Sequence, residues 1–312
     1  MQTEPFPPLP ADHADRLGRL RLALEGLSVG DAFGGQFFIP ANRKYLFGPR
    51  REAPPPPWGY TDDTEMALGI AEVLARSGSV EQDELARNFA RRYHLNSYRG
   101  YGPGMHRLLP ELALGKSWRD EARKLFGGTG SFGNGGAMRV APVAGYFADD
   151  LARAAAEAAR SAEVTHCHPE GVAGAVAVAV AGAFAWQARQ RREEEAARRE
   201  LFGAVLAHTP PGETREGIER AAGLDPAEPI DAAVRLLGNG SRVTAADTVP
   251  FCLWCAARHL HQFSEALWTA VRAGGDIDTT GAIIGGIVAL AVGEEGIPAE
   301  WVAAREELLW EC

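Results

Sequence analysis

Apolar residues along this chain return at three- and four-residue intervals far more often than they alternate, which predicts helices and gives little support to strands. Leu17, Leu20, Leu24 and Leu27 form one stripe on a helix over residues 17–29. Met66, Ile70, Val73 and Leu74 do the same over 64–77, with Gly78 placed to end that helix in the left-handed conformation. The same pattern predicts helices over residues 82–94, 150–163, 172–200, 227–237, 247–260, 264–273, 279–292 and 299–310. Ten or so helices with no alternating segments predict an all-α protein, a single-domain orthogonal multi-helix bundle.

Glycine punctuates these helices. Its 36 copies exceed what loops alone require, and Gly281, Gly285 and Gly286 lie inside an apolar stretch, which predicts helices packed closely there. The longest apolar run, residues 171–186, is mostly alanine and valine and falls short of the ~20 residues a membrane span needs. It reads as a buried core helix. The four prolines at 54–57 read as a surface loop within one domain spanning residues 1–312, with residues 1–12 expected to be flexible. The mixed-charge run at 191–200 reads as a solvated helix face.

Composition narrows the picture further. A chain with 46% hydrophobic and 23% charged residues is globular, which excludes disorder, a collagen-like repeat and a membrane bundle. With 32 basic against 41 acidic residues, a net charge of −9 and a pI near 5.5, a broad surface for nucleic acid or anionic lipid is not expected. An anionic ligand would have to be held by backbone dipoles, a metal or a few placed arginines. Four cysteines and an N-terminus without a basic-then-apolar pattern suit a reduced, cytoplasmic setting.

Candidate chemistry concentrates in two aspartate motifs, Thr61-Asp62-Asp63-Thr64-Glu65-Met66 and Gly275-Asp276-Ile277-Asp278-Thr279-Thr280-Gly281, each at the entrance of an apolar helix. N-capping accounts for one side-chain oxygen per helix. Each motif offers two carboxylates and at least one hydroxyl, and adjacent carboxylates repel unless a cation lies between them. Hard oxygen donors without histidine or thiolate suit Mg²⁺, Mn²⁺ or Ca²⁺, and their number favours a two-metal site. Asp31, inside an apolar run, is either an anchor for those ligands or a satisfied core group.

The glycine-rich segment 126–136, from Phe126 through Ser131, Phe132, Gly133 and Asn134, can bring backbone close to a ligand and ends at a helix start able to hold phosphate. It lacks the lysine of a Walker loop, and no nucleophile elbow surrounds Ser131. Cys252-x-x-Cys255, with His259 and His261 nearby, invites a zinc or redox reading, but its apolar neighbours read as a buried helix.

Taken together, Gly30-Asp31-Ala32-Phe33-Gly34, the two aspartate motifs, Gly130 through Arg139 and Thr165-His166 resemble the ADP-ribosylglycohydrolase family, with the motifs in family order across nearly the whole chain. The resemblance implies an all-α hydrolase with two Mg²⁺ (or Mn²⁺) in a cleft, releasing ADP-ribose from a modified side chain or another ADP-ribosyl conjugate. Thr61, Asp62 and Asp63 would bind metal from one side, and Asp276, Asp278 and Thr279 from the other. Asp62, Asp63 and Asp278 are the candidate catalytic carboxylates. Gly100 and the segment 126–134 resemble the serine-specific branch, in which Ser131, Gly133 and Asn134 would hold the diphosphate and distal ribose. There Phe126 and Phe132 would sandwich adenine, and His166 would line the pocket. One position departs: where much of the family carries a glutamate four residues after its Gly-Asp-x-x-Gly motif, this chain has Phe38. Another acid such as Glu52 would have to replace it, or metal and aspartates would act alone, or binding would remain without catalysis.

Overall fold

A computed structural model describes residues 8–47, 51–190 and 193–310. Among them the chain is all-α: there are helices, short 3₁₀ turns and two isolated bridges, Trp58 with Arg305 and Gly133 with Thr244, but no strand. Residues 1–7 of the segment expected to be flexible, and 191–192 of the mixed-charge run, lie outside the described residues. Leu9 and Pro10 lie beside Gly78.

Most predicted helices form, and four expectations change. The run 172–200 is two helices, Pro169–Ala188 and Glu194–His208. The last predicted helix is short, Ala299–Ala304, because Trp58 N–H donates to Ala304 O (2.7 Å) and Glu306 N–H to Trp58 O (2.9 Å), which draws the backbone out of its helix. Pro103–Ala113 and Glu213–Gly223 are additional helices; the first buries Met105, Leu108, Leu109 and Leu112 on one stripe. The proline loop is anchored as well as exposed: Pro54 is buried and its carbonyl accepts from Trp58 Nε1 at 2.9 Å.

Two helices set the frame. Pro169–Ala188 is long and apolar enough in composition to cross a membrane, yet it serves as core, with every residue from Ala173 to Ala185 buried. The N-terminal helix His13–Gly35 lies antiparallel on Ile277–Val292, and the two touch backbone to backbone. A Cβ built on Gly26 would lie 2.4 Å from Gly285 O, one on Gly30 2.1 Å from Gly281 O, and one on Gly34 2.1 Å from Ile277 O. Glycines at four-residue spacing thus bring Asp31 and Asp278 to the same end of the helix pair. Phe33, two residues on, stacks on Trp301 with centroids 4.4 Å apart and meets Trp58 and Trp268 edgewise or tilted, clamping that end.

Candidate active site

Three helix ends meet at the clamp: the C-terminal turns of His13–Gly35 and the first turns of Asp62–Ser77 and Ile277–Val292. Thr61 caps the second, its Oγ accepting from Asp63 N–H at 3.4 Å. Capping therefore explains Thr61. It does not explain the carboxylates, since Asp276 makes no side-chain cap bond to its helix. Oxygens of Asp31, Asp63 and Asp278 lie within 4.8 Å of one another, and Asp62, Asp63, Asp276 and Asp278 line one cavity.

Asp31 organises this cluster. Fully buried, its carboxylate accepts from Thr61 N–H (2.9 Å), Thr64 N–H (3.1 Å) and Thr64 Oγ (2.5 Å), so it ties the N-terminal helix to the Thr61 motif. The Thr61 hydroxyl lies 2.9 Å from Asp31 and 2.8 Å from Asp63 and is used within the cluster, beneath the cavity. Asp276 accepts from Asn134 Nδ2 at 2.8 Å, which joins the glycine-rich loop to the second motif. Glu65 turns away and pairs with buried Arg92 at 2.8 Å. One atom stands out: Asp63 Oδ1 is buried and has no hydrogen-bond partner.

Buried polar atoms without partners cost free energy, and buried carboxylates without counter-charge cost more. In all five carboxyls the ionised form is disfavoured, and each binds its proton more tightly than an exposed carboxyl does. Burial, followed by the neighbouring aspartates, pushes Asp62 up to about 7 and holds Asp63 and Asp278 well above the usual carboxylate range. Burial also raises Asp31, to about 6 against its four hydrogen bonds, and Asp276 against its bond from Asn134. The donor set is all oxygen, concave and short of positive charge, which suits a divalent cation.

This has a consequence for stability. A carboxyl raised in the folded state binds protons that the unfolded chain has released above about pH 4, so its contribution is present at low pH and lost as pH rises through the folded value. His166 and His259, held down to about 3 and about 4 chiefly by burial, oppose this only below the unfolded histidine value near 6.5. Between pH 6.5 and 8 the carboxyls therefore dominate, at about 2 kcal/mol for each one that stays protonated across that window. Metal-free protein is expected to melt roughly 5 °C lower at pH 8 than at pH 6.5, with saturating Mg²⁺ or Mn²⁺ removing the difference. Equal melting temperatures in EDTA at the two pH values would contradict the cluster's electrostatics.

Above the aspartates opens a cavity of about 410 Å³, within the usual range for a small-molecule site. Its walls include Gly100, Phe126, Ser131, Phe132, Gly133, Asn134, His166, Asp276, Asp278 and Thr279, so the structure brings together every site residue proposed from sequence except Thr61. Phe126 and Phe132 stand at the mouth, 55% and 41% exposed, with ring centroids 6.1 Å apart. Rings that remain this exposed are not core. The glycine-rich segment turns tightly, with positive φ at Gly127, Gly128 and Gly130 and also at Phe126.

Sequence reasoning missed the wall formed by Arg242, Val243 and Thr244. Val243 has φ 56, a rare conformation for a β-branched residue, and its carbonyl accepts from Asn134 N–H at 3.2 Å. Strain of about 1–3 kcal/mol at each such position is tolerated where surrounding contacts impose it, and among the described residues both non-glycine residues with positive φ, Phe126 and Val243, lie on this cavity. The only available signal was Thr244 as an N-cap, its Oγ accepting from Asp247 N–H at 3.2 Å. Phe38 is 50% exposed, and the exposed Glu52 is not among the cavity residues. Cys252 and Cys255 are buried in one helix, and the group of metal-capable side chains found among the described residues is that of Asp31, Asp63 and Asp278.

Comparison with known proteins agrees with this geometry. A family model described as ADP-ribosylglycohydrolase matches residues 12–311. The human ADP-ribosylhydrolase ARH3 is 29% identical over 281 residues, covering 79% of this chain and 74% of that protein. An uncharacterized protein of Archaeoglobus fulgidus is 31% identical, covering 93% of this chain and 92% of its own. A solved structure described as an ADP-ribosylglycohydrolase-related protein complex superposes with a TM-score of 0.64 at 27% identity, covering 94% of each chain. Because the family match runs through every segment that lines the cavity, the chain belongs to the ADP-ribosylglycohydrolase family of hydrolases.

Proposed function

We propose that this protein is a Mg²⁺-dependent hydrolase, also able to use Mn²⁺, that cleaves the glycosidic bond between ADP-ribose and an acceptor and releases ADP-ribose. The observation that carries the reading is the unpartnered Asp63 Oδ1, buried among carboxylates on the floor of a cavity whose mouth holds two exposed phenylalanines. Asp62 and Asp63 from one helix start and Asp276, Asp278 and Thr279 from the other line the cavity and would supply oxygen donors for two ions, with Asp31 and the Thr61 hydroxyl that bonds to it beside them. Bound there, the ions would supply Lewis-acid chemistry and positive charge for the ribose hydroxyls and the ligand's phosphates.

The chain's own residues do the rest. Phe126 and Phe132 receive the adenine, and the 131–134 backbone, unobstructed at Gly133, approaches the diphosphate. That arrangement leaves the proximal ribose over the aspartates. A carboxylate among Asp62, Asp63 and Asp278, which the bound cations would keep ionised, accepts a proton from water as the water oxygen bonds to C1″; the bond from C1″ to the acceptor breaks, and that proton passes to the acceptor as it leaves.

Product analysis tests the reading. Serine-linked, arginine-linked and small ADP-ribosyl conjugates are incubated with Mg²⁺ and with EDTA. Free ADP-ribose from at least one linkage, lost in EDTA and restored by Mg²⁺, is the expected result; inorganic phosphate in its place would point to phosphoryl transfer. A second reading rests on Phe38: with no acid at that position, the same pocket would bind ADP-ribose without turning it over. Single-turnover reactions at high enzyme that bind ADP-ribose and yield no product would favour this alternative.

A further inference from the structure

Two residues of the shared motifs, Arg139 and Thr165, belong neither to the aspartate cluster nor to the cavity wall, yet both are fully buried. We propose that they form a relay that locks the His166 ring with its proton on Nε2, so that the ring presents a fixed hydrogen-bond donor to a diphosphate oxygen of the bound substrate. The assignment rests on the pocket being an ADP-ribosyl site and deepens that reading.

Arg139 Nη2 lies 2.9 Å from Ser161 O and 2.8 Å from Thr165 Oγ. A guanidinium can only donate, so Thr165 Oγ must accept from it. Among the described residues, the one remaining partner of that hydroxyl is His166 Nδ1, at 2.7 Å. If Nδ1 carried a proton, Thr165 Oγ would receive two donors and its own hydrogen would be buried without an acceptor. The satisfied arrangement has Thr165 O–H donating to a bare Nδ1.

Charge supports the same assignment. Burial lowers Arg139 to about 9, which leaves it charged at neutral pH, and its guanidinium sits 4.5 Å from the centre of the Phe89 ring. Burial, then the Arg139 charge, holds His166 down to about 3. The ring is neutral and has a single N–H. Packing also fixes its orientation: a Cβ on Gly135 would lie 2.7 Å from Nε2, one on Gly133 3.4 Å from it, and one on Gly171 3.2 Å from the His166 Cβ. Three side-chain-free positions hold the Nε2 edge against the glycine-rich loop, where a phosphate can approach.

Nitrogen NMR of histidine-labelled full-length protein, with the His166 signals identified by their loss in H166N, reads the tautomer without ligand or activity. The expected result is Nε2–H; an Nδ1–H ring overturns the relay whatever the enzyme does. Thr165→Val removes the hydroxyl without removing the ring. It is expected to release the tautomer and to raise the Kd for ADP-ribose and the KM for conjugates about tenfold, the worth of one hydrogen bond to a charged group, with kcat within twofold. Thr165→Ser should restore all three. Unchanged Kd and KM in T165V would overturn the proposal. A wild-type Nε2–H ring in a protein that neither binds nor releases ADP-ribose would overturn the ligand assignment and the proposed function together, leaving only the hydrogen-bond geometry.

Discussion

Asp63→Asn is expected to reduce ADP-ribose release by about 10³-fold and, in the same protein stripped of metal, to raise the melting temperature. The two signs come from one cause. Asp63 is 1% exposed, and its ionised form is opposed by burial and by Asp31, Asp278, Asp62 and Asp276. Asparagine keeps the shape, removes one like charge and gives the cluster an amide donor facing carboxylate oxygens. Relief on the order of 1–2 kcal/mol follows, as does the loss of a ligand that no neighbour can replace. Wild-type protein should gain stability on titration with Mg²⁺, and D63N should gain little or none. Thermal melts with EDTA or Mg²⁺, run beside single-turnover assays, check both halves. A D63N protein that melts lower than wild type in EDTA, or that retains turnover, would show that the carboxylate is structural.

Such opposition between stability and activity is expected where function requires unsatisfied groups. It also explains why part of this site was legible in the sequence. Asp62 with Asp63, and Asp276 with Asp278, crowd like charges into four residues, and local repulsion can be read from spacing alone. Asp31 could not be ranked that way, because the hydroxyls it accepts from, Thr61 and Thr64, lie 30 and 33 residues away. The strained turn at Val243 leaves no mark in composition, since valine is otherwise disfavoured at positive φ. Helix periodicity failed in the same way at the C-terminus. Leu308, Leu309 and Trp310 continue an apolar pattern, but a pairing with Trp58, far away in sequence, decides the backbone there. Arg139 and Thr165 were visible as motif members without a role; their role needed the geometry of one hydroxyl between a cation and an imidazole.

The crossing of the first and last long helices yields the largest expected loss of stability. Gly30→Ala places a methyl carbon 2.1 Å from Gly281 O and 2.6 Å from Gly281 C. Both are backbone atoms, so no side chain can rotate away, and the helices must separate by about 1 Å to reach ordinary contact. Gly26 and Gly34 make equally close contacts one turn to either side, so a local bulge cannot absorb the change. Overpacking of this kind costs about 3 kcal/mol or more. The effect extends to chemistry because Asp31 follows Gly30 directly and Asp278 follows Ile277, whose carbonyl Gly34 touches. Ligand oxygens now within 4.8 Å of each other would move apart by several times the ~0.2 Å that metal–ligand distances tolerate. Gly18→Ala, on the same helix with nothing within 4 Å of its built Cβ, is the matched control and is expected to be neutral or stabilising by about 0.5–1 kcal/mol. Melting curves and Mn²⁺ titrations of the pair decide the matter. If G30A matches G18A in both, the glycine contacts do not set the spacing of the acidic cluster; if G30A loses stability and Mn²⁺ affinity together, the close approach of these two helices is what holds Asp31 and Asp278 within reach of one ion.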